Sequence, residues 1–390
     1  MQANKCSASA KLGRGLLTLA AGAALSISFS ACGSQGLERI SEVGQAAAKP
    51  FDTGAVRVVG RVKHHPDSVE YSWPGVYFEG RFTGSAIGLK FSDSHSHFNI
   101  EIDGRHTDVI SRPGNETVWL QGLGAGEHRI KVFKRNETSH ASGRFFGFEL
   151  GPGERMHPAP APRERQMVFI GDSLTLGYGN ASGKRDCSDA EVSASTDSGL
   201  SFAALTAAHF GADLHLNAYS GLGLVRNYGD AFPGTQYRSY AHRTLAHDPS
   251  SVWVKPEHWN PSVVVVTLGG PDFASLDASK PWTAETLVPE FKTAYLDFLS
   301  ALRVQYGSQA LFVLGVPETG DQRLMRSVRE VVARHKLAGY SRIDDFGIDM
   351  AALDAQGCHW HASLQDHRAI SKALITVIER WQAPGRRQPD

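Results

Sequence analysis

No dense block of lysine or arginine occurs in this chain, and its forty basic residues balance forty acidic ones for a formal net charge of zero. The electrostatic footprint of a nucleic-acid binder is therefore missing, and nucleic acid is not an expected partner. Long apolar runs are missing too: the uncharged stretch from Leu16 to Phe29 is too short to span a bilayer. Cysteine is scarce, at four in 390 residues. His64 and His65, and His95 with His97 on one strand face, lack the carboxylate or cysteine pattern that completes a metal site, so surface histidines are the better reading. What remains is an ordinary globular composition, 41% apolar and 21% charged, in a chain long enough for a leader and two folded units.

The leader is legible. Lys5, Lys11 and Arg14 precede the Leu16 to Phe29 run, the pattern of a signal peptide over residues 1–31. It ends Phe29-Ser30-Ala31-Cys32, which resembles a bacterial lipobox with Phe29 where Leu is usual. The expectation is an exported bacterial protein held at a membrane, on the periplasmic or cell-surface side, by lipid on Cys32; plain cleavage near Ala31 is the alternative. With Cys6 and Cys32 set aside, Cys187 and Cys358 remain. An oxidising compartment predicts that they pair, and two unpaired thiols are the alternative.

After a tether over 32–53, short alternating runs mark strands: Val56 to Val62, Tyr77 to Phe82, Ala86 to Phe91, Phe98 to Ile102, Thr117 to Gln121, His128 to Lys134 and Phe145 to Leu150. Asp103-Gly104 and Gly122 to Gly126 read as turns between them. Residues 54–151 are therefore expected to form an all-β, jelly-roll-like sandwich. The proline-rich segment 152–166 reads as a semi-rigid linker.

Over 167–382 strands alternate with helices, predicting a three-layer α/β domain with a parallel sheet; 383–390 is a tail. The expected strands are Met167 to Ile170, Leu214 to Ala218, Val263 to Leu268, Leu311 to Val316 and Tyr340 to Ile343. Leu287, Phe291, Tyr295, Phe298 and Leu302 share one buried helix face. Ser198 to Phe210, Arg323 to His335 and Leu364 to Trp381 are further helices.

The chemistry is expected at the C-terminal ends of the parallel strands. There an apolar strand runs into Gly171-Asp172-Ser173-Leu174-Thr175, projecting Ser173 from the sheet rim. Thr175 replaces the second glycine of a G-x-S-x-G elbow, which argues against an ordinary α/β-hydrolase. Gly221-Leu222-Gly223 begins a dinucleotide fingerprint, but Arg226 stands at its last glycine position. On chemistry alone a turn or helix cap is the better reading of Ser173.

The order of blocks changes that reading. Gly171 to Thr175, Ser220 to Gly223 and a late His361 resemble the GDSL/SGNH esterases. The resemblance is closer to carbohydrate esterase family 2, on Gly147 to Leu150, Gly171 to Gly179, Ser220 to Asn227 and Gly357 to His361, and it covers roughly Ala55 to Trp381. It implies a flavodoxin-like SGNH domain behind a β-sandwich, and a serine esterase that removes O-acetyl groups from plant polysaccharides such as xylan or mannan. It assigns Ser173 as nucleophile, His361 as base, and the backbone N–H groups of Ser173 and Gly221 as the oxyanion hole. No metal or organic cofactor is required. Acetylated polysaccharide or oligosaccharide is the implied partner, with Trp360 and Tyr178 as candidates to stack on a sugar and core packing as the commoner fate of such rings.

Two positions depart from the family pattern. Gly269-Gly270-Pro271-Asp272 stands where the family has Gly-Thr-Asn-Asp, so Pro271 replaces a side-chain oxyanion donor, a loss of typically about a hundred- to thousandfold in turnover. His359 and Cys358 occupy places where an Asp usually orients the base, leaving a backbone carbonyl to do so. A catalytically weakened glycan-binding lipoprotein is therefore a second reading, and an esterase acting on lipid or cell-envelope esters a third.

Overall fold

A computed structural model of the chain describes residues 38–42, 49–274, 282–319 and 322–383. The expected signal peptide and Cys32 lie outside the described residues.

The N-terminal part is antiparallel. Its strands are β1 (Glu38–Glu42), β2 (Arg57–Val59), β3 (Val62–His64), β4 (Val69–Tyr71), β5 (Tyr77–Ser92), β6 (His97–Ile102), β7 (Arg105–Ser111), β8 (Thr117–Lys134), β9 (Gly143–Glu149) and β10 (Arg155–Met156). They run in the order β3-β4-β9-β5-β8-β6-β7, with β1 added to β8, and β2 and β10 added to β5.

Two pairs of expected strands are each one strand. Tyr77 to Phe82 and Ala86 to Phe91 belong to the 16-residue β5, and Thr117 to Gln121 and His128 to Lys134 to the 18-residue β8. β5 and β8 pair from Tyr77↔Phe133 to Lys90↔Thr117, with a register shift between Gly84 and Ala86. Gly122 to Gly126 therefore bend a strand instead of ending it: the ladder with β5 breaks register here and resumes on either side, at Gln121 and Gly126. One end of the pair carries β2, β10 and β6, the other β9 and β1. The two ends fold over a common core in which Phe78 stacks on Phe145 at 4.3 Å and Phe91 on Phe98 at 4.8 Å. Each such fully buried Phe contributes about 2 kcal/mol.

The segments read as tether and linker are partly tied down. Glu38–Glu42 pair with β8. Arg155 and Met156 pair with β5, and the Ala159 N–H donates to Gly54 O at 2.7 Å. Arg163 joins Arg57 in a buried cluster with Glu79, Asp213 and the Tyr77 hydroxyl, which fastens the antiparallel part to the sheet that follows.

That sheet is parallel: β11 (Arg165–Gly171), β12 (Ala212–Ala218), β13 (Val263–Thr267), β14 (Leu311–Glu318) and β15 (Ile343–Asp349), in the order β12-β11-β13-β14-β15. All five residues of β13 are buried, as expected of a strand covered on both faces. Helices α1 (Ser173–Leu176), α2 (Asp189–Ser195), α3 (Phe202–His209), α4 (Tyr237–Tyr240), α5 (Gly270–Phe273), α6 (Ala284–Tyr306), α7 (Arg323–Leu337) and α8 (Leu364–Gln382) accompany it. α3 packs with α8, and α6 with α7. The apolar stripe of α6 is buried as its spacing predicts, with Leu287, Phe291 and Tyr295 fully covered.

Two expectations shift here. The last strand begins at Ile343, because Tyr340 still closes α7 through its N–H to His335 O. Its polar Asp344 and Asp345 bond Trp381 and Arg329 instead of facing apolar neighbours, so the hydrophobic pattern understated it. Ser198 to Phe210 is not one helix: a 3-10 turn over Ser198–Leu200 precedes α3, whose N-cap Ser201 accepts from the Ala204 N–H. The strand order reverses direction at β11, and a ligand crevice is expected at the C-terminal ends of β11 and β13.

Candidate active site

At the end of β11 a Cβ on Gly171 would lie 1.9 Å from Thr175 Oγ1, so only glycine fits the turn. Asp172 caps α1, its carboxylate accepting from the Leu174 N–H at 3.0 Å, and Ser173 is the first residue of that short helix. Ser173 Oγ lies 2.9 Å from His361 Nε2. His361 Nδ1 lies 2.9 Å from the carbonyl oxygen of Cys358. A carbonyl only accepts, so Nδ1 carries the proton and Nε2 offers its lone pair to the serine hydroxyl. Burial pushes the imidazole pKa below its ordinary value, against the pull of the Cys358 carbonyl, which keeps the ring neutral and basic near pH 7.

The base loop is heavily braced. His359 and Trp360 both adopt left-handed backbone, at φ 52 and 63, a conformation costing about 1–3 kcal/mol for residues other than glycine. A disulfide joins Cys187 to Cys358. His359 Nε2–H donates to Cys187 O at 2.8 Å, and Nδ1 accepts from the Tyr178 hydroxyl at 3.0 Å. The Tyr178 ring lies 4.4 Å from that of His361. The Arg185 guanidinium lies 3.8 Å over the indole of Trp360, leaving that ring 69% exposed.

Gly221 is the second residue expected at the oxyanion hole. It sits at φ 76, a left-handed turn that needs glycine. Among the described residues, neither its N–H nor that of Ser173 donates to a protein acceptor. Behind this loop, Asp272 accepts the N–H groups of Leu224, Val225 and Arg226 at 2.9, 2.8 and 3.0 Å. Burial nevertheless raises the Asp272 carboxyl to about 6, and burial together with the nearby Asp272 raises that of Asp172 to about 7. Pro271, in the first turn of α5, has no N–H and no side-chain donor.

Ser173, Gly221, His361, Trp360 and Tyr178 line one cleft of about 670 Å³. The structure thus brings together every site residue expected within the described part. Tyr228, 58% exposed on the same cleft, carries no sequence signal; Asp272 matches the last position of the family's Gly-Thr-Asn-Asp block, but its role shows only in its three backbone partners. His367 accepts from the Phe202 N–H inside the core, which makes it structural.

Residues 58–160 match the family described as carbohydrate esterase 2 N-terminal. An acetylxylan esterase / glucomannan deacetylase from Cellvibrio japonicus (strain Ueda107) is 36% identical over 333 residues, 85% of this chain and 91% of that protein. One similar solved structure is of a carbohydrate esterase whose active site displays divergent catalytic and non-catalytic binding functions, at 35% identity and TM-score 0.76, covering 86% of this chain and 99% of that one. Another is a family two carbohydrate esterase from Clostridium thermocellum in complex with cellohexaose, at 28% identity and TM-score 0.74, covering 84% and 99%.

Proposed function

This chain belongs to carbohydrate esterase family 2, and from that premise we propose that it removes O-acetyl groups from plant polysaccharides such as xylan or glucomannan by a Ser-His acyl-enzyme mechanism. The observation that carries the reading is the 2.9 Å contact between Ser173 Oγ and a His361 ring whose other nitrogen is held by a carbonyl.

Ser173 Oγ attacks the acetyl carbonyl carbon while its proton passes to His361 Nε2. The oxyanion turns towards the N–H groups of Ser173 and Gly221. Collapse returns the proton to the departing sugar oxygen and leaves an acetyl ester on Ser173. A water molecule, deprotonated by His361, attacks that ester, and collapse releases acetate as His361 passes the proton to Ser173 Oγ. The imidazolium formed in each half-reaction is stabilised by the Cys358 carbonyl dipole in place of a carboxylate. Trp360, braced from one side by Arg185, offers its other face to a sugar ring.

The test is acetate release from acetylated xylan, acetylated glucomannan and 4-nitrophenyl acetate, beside Ser173→Ala. Turnover in the wild type and none in the variant supports the reading. Preference for long-chain acyl esters over acetylated sugars moves the substrate to lipid or envelope esters. Equal inertness of both proteins rejects the mechanism.

A second reading is glycan capture with slow turnover at the same cleft. Pro271 favours it by removing a donor, and so does the relative with cellohexaose bound. Retention of either protein on cellohexaose without acetate release is its signature. An exported, lipid-anchored location is part of the proposal, and Cys32→Ser should move the protein from the membrane to the soluble fraction.

A further inference from the structure

The turn after β8 reaches from the antiparallel domain to the proposed oxyanion loop, and it is held rigidly. Lys134 is fully buried and its Nζ donates to Asn136 O at 2.5 Å. The Asn136 side chain accepts from the His97 N–H at 2.8 Å and donates to His95 O at 3.1 Å and Ser193 Oγ at 3.0 Å. The Thr138 hydroxyl donates to Ser72 O at 3.1 Å. Between these anchors Glu137 extends its carboxylate to the residue before Gly221: the Ser220 N–H donates to Glu137 Oε1 at 2.9 Å.

That bond has a geometric consequence. The peptide plane ahead of Ser220 is fixed by Glu137, and the plane after Gly221 by the Tyr228 N–H, which donates to Gly221 O at 2.9 Å. The intervening plane carries the Gly221 N–H, and with both neighbours pinned its direction is set. Without Glu137, rotation about Ser220 frees that N–H to swing away from the acyl oxygen. A lone carboxylate so near a forming oxyanion would oppose it, but burial raises the Glu137 carboxyl above its ordinary value, and the buried Lys134 ammonium, which pulls it back down, offsets the charge that remains.

We infer that Glu137 is a positioning residue for the esterase reaction: it aims the Gly221 N–H, and so makes the antiparallel domain a working part of the active site. The inference rests on the serine-esterase reading above.

Steady-state rates on 4-nitrophenyl acetate are compared for wild type, Glu137→Ala, Glu137→Gln and Ser173→Ala, each with a melting curve to set the folded fraction. A misaimed donor is a milder loss than a deleted one, so Glu137→Ala should lower kcat about tenfold while KM stays within about twofold. Glu137→Gln, whose amide oxygen accepts the same N–H, should return kcat to within about threefold of wild type. Should Glu137→Ala not fold, Glu137→Met keeps the side-chain volume without an acceptor and takes its place. An unchanged kcat in the acceptor-free variant, a loss confined to KM or to the folded fraction, or an equal loss in Glu137→Gln would each overturn the inference. Wild-type activity in Ser173→Ala would overturn the esterase reading itself, and this inference with it.

Discussion

Cys358 holds His361 twice over: its carbonyl oxygen lies 2.9 Å from the imidazole Nδ1, and its sulfur ties the same loop to Cys187. The orienting group is thus a backbone dipole. A carboxylate can rotate on its own side chain, whereas a carbonyl is only as well placed as the loop that carries it.

Reduction of the disulfide should therefore impair catalysis as well as stability. The bond closes a loop with a sequence separation of 171 residues, and a loop of that length is worth about 5 kcal/mol in the chain-entropy limit. Treatment with a phosphine reductant, or Cys187→Ser, should lower the denaturation midpoint. It should also lower kcat on 4-nitrophenyl acetate under conditions where the protein is still folded. Full activity in folded, reduced protein would show that the remaining hydrogen bonds suffice.

The pH profile follows from the base. His361 must be neutral to accept the serine proton, and burial holds its pKa below the ordinary 6.5. The acid limb of kcat/KM should have its midpoint below pH 6.5, since a lowered pKa leaves more neutral imidazole at any given pH. A midpoint above 6.5 in a rate profile would contradict the buried, carbonyl-held ring.

Pro271→Asn should restore a side-chain donor at the start of α5. The expected gain in kcat is about tenfold or more, because one well-aimed oxyanion donor is worth about a hundredfold or more. KM for 4-nitrophenyl acetate should change little. No gain would mean that the Ser173 and Gly221 N–H groups already complete the site.

Asp213→Ala should separate stability from chemistry. Asp213 is buried and accepts from Arg57, Arg163 and the Tyr77 hydroxyl, and stripping one partner from such a cluster costs about 3–5 kcal/mol. Asp213 lies near the start of β12, while Ser220 follows its end. Urea denaturation should register the loss, and kcat per folded molecule should not.

The sequence marked the residues that gather on the cleft more clearly than the architecture around them. Ser173, Gly221 and His361 sit at strand ends or in a late loop, where motif order is a sufficient guide, and the departures at Pro271 and Cys358 could be read as missing side chains. The continuity of β5 and β8 was hidden because Gly84 and Gly122 to Gly126 carry turn-like composition, and only pairing across the sheet decides between a turn and a bend. β15 began late because its aspartates find cations and an indole, which no periodicity records. Glu137 is separated from Ser220 by 83 residues, and a single carboxylate in a polar turn carries no local mark of its partner. The partners of Asp272 were hidden likewise, since they are backbone amides and any residue type supplies those.

The pairing of β5 with β8 runs through both halves of the antiparallel domain, with a single register shift at Gly84. Because the same two strands form the middle of both halves of the sandwich, neither half can open while the other stays closed. Amide hydrogen exchange should therefore report one protection level along Tyr77 to Lys90 and its partners, including the residues on either side of Gly84. The turn that carries Glu137 begins where β8 ends, so its exchange should be governed by that same opening event.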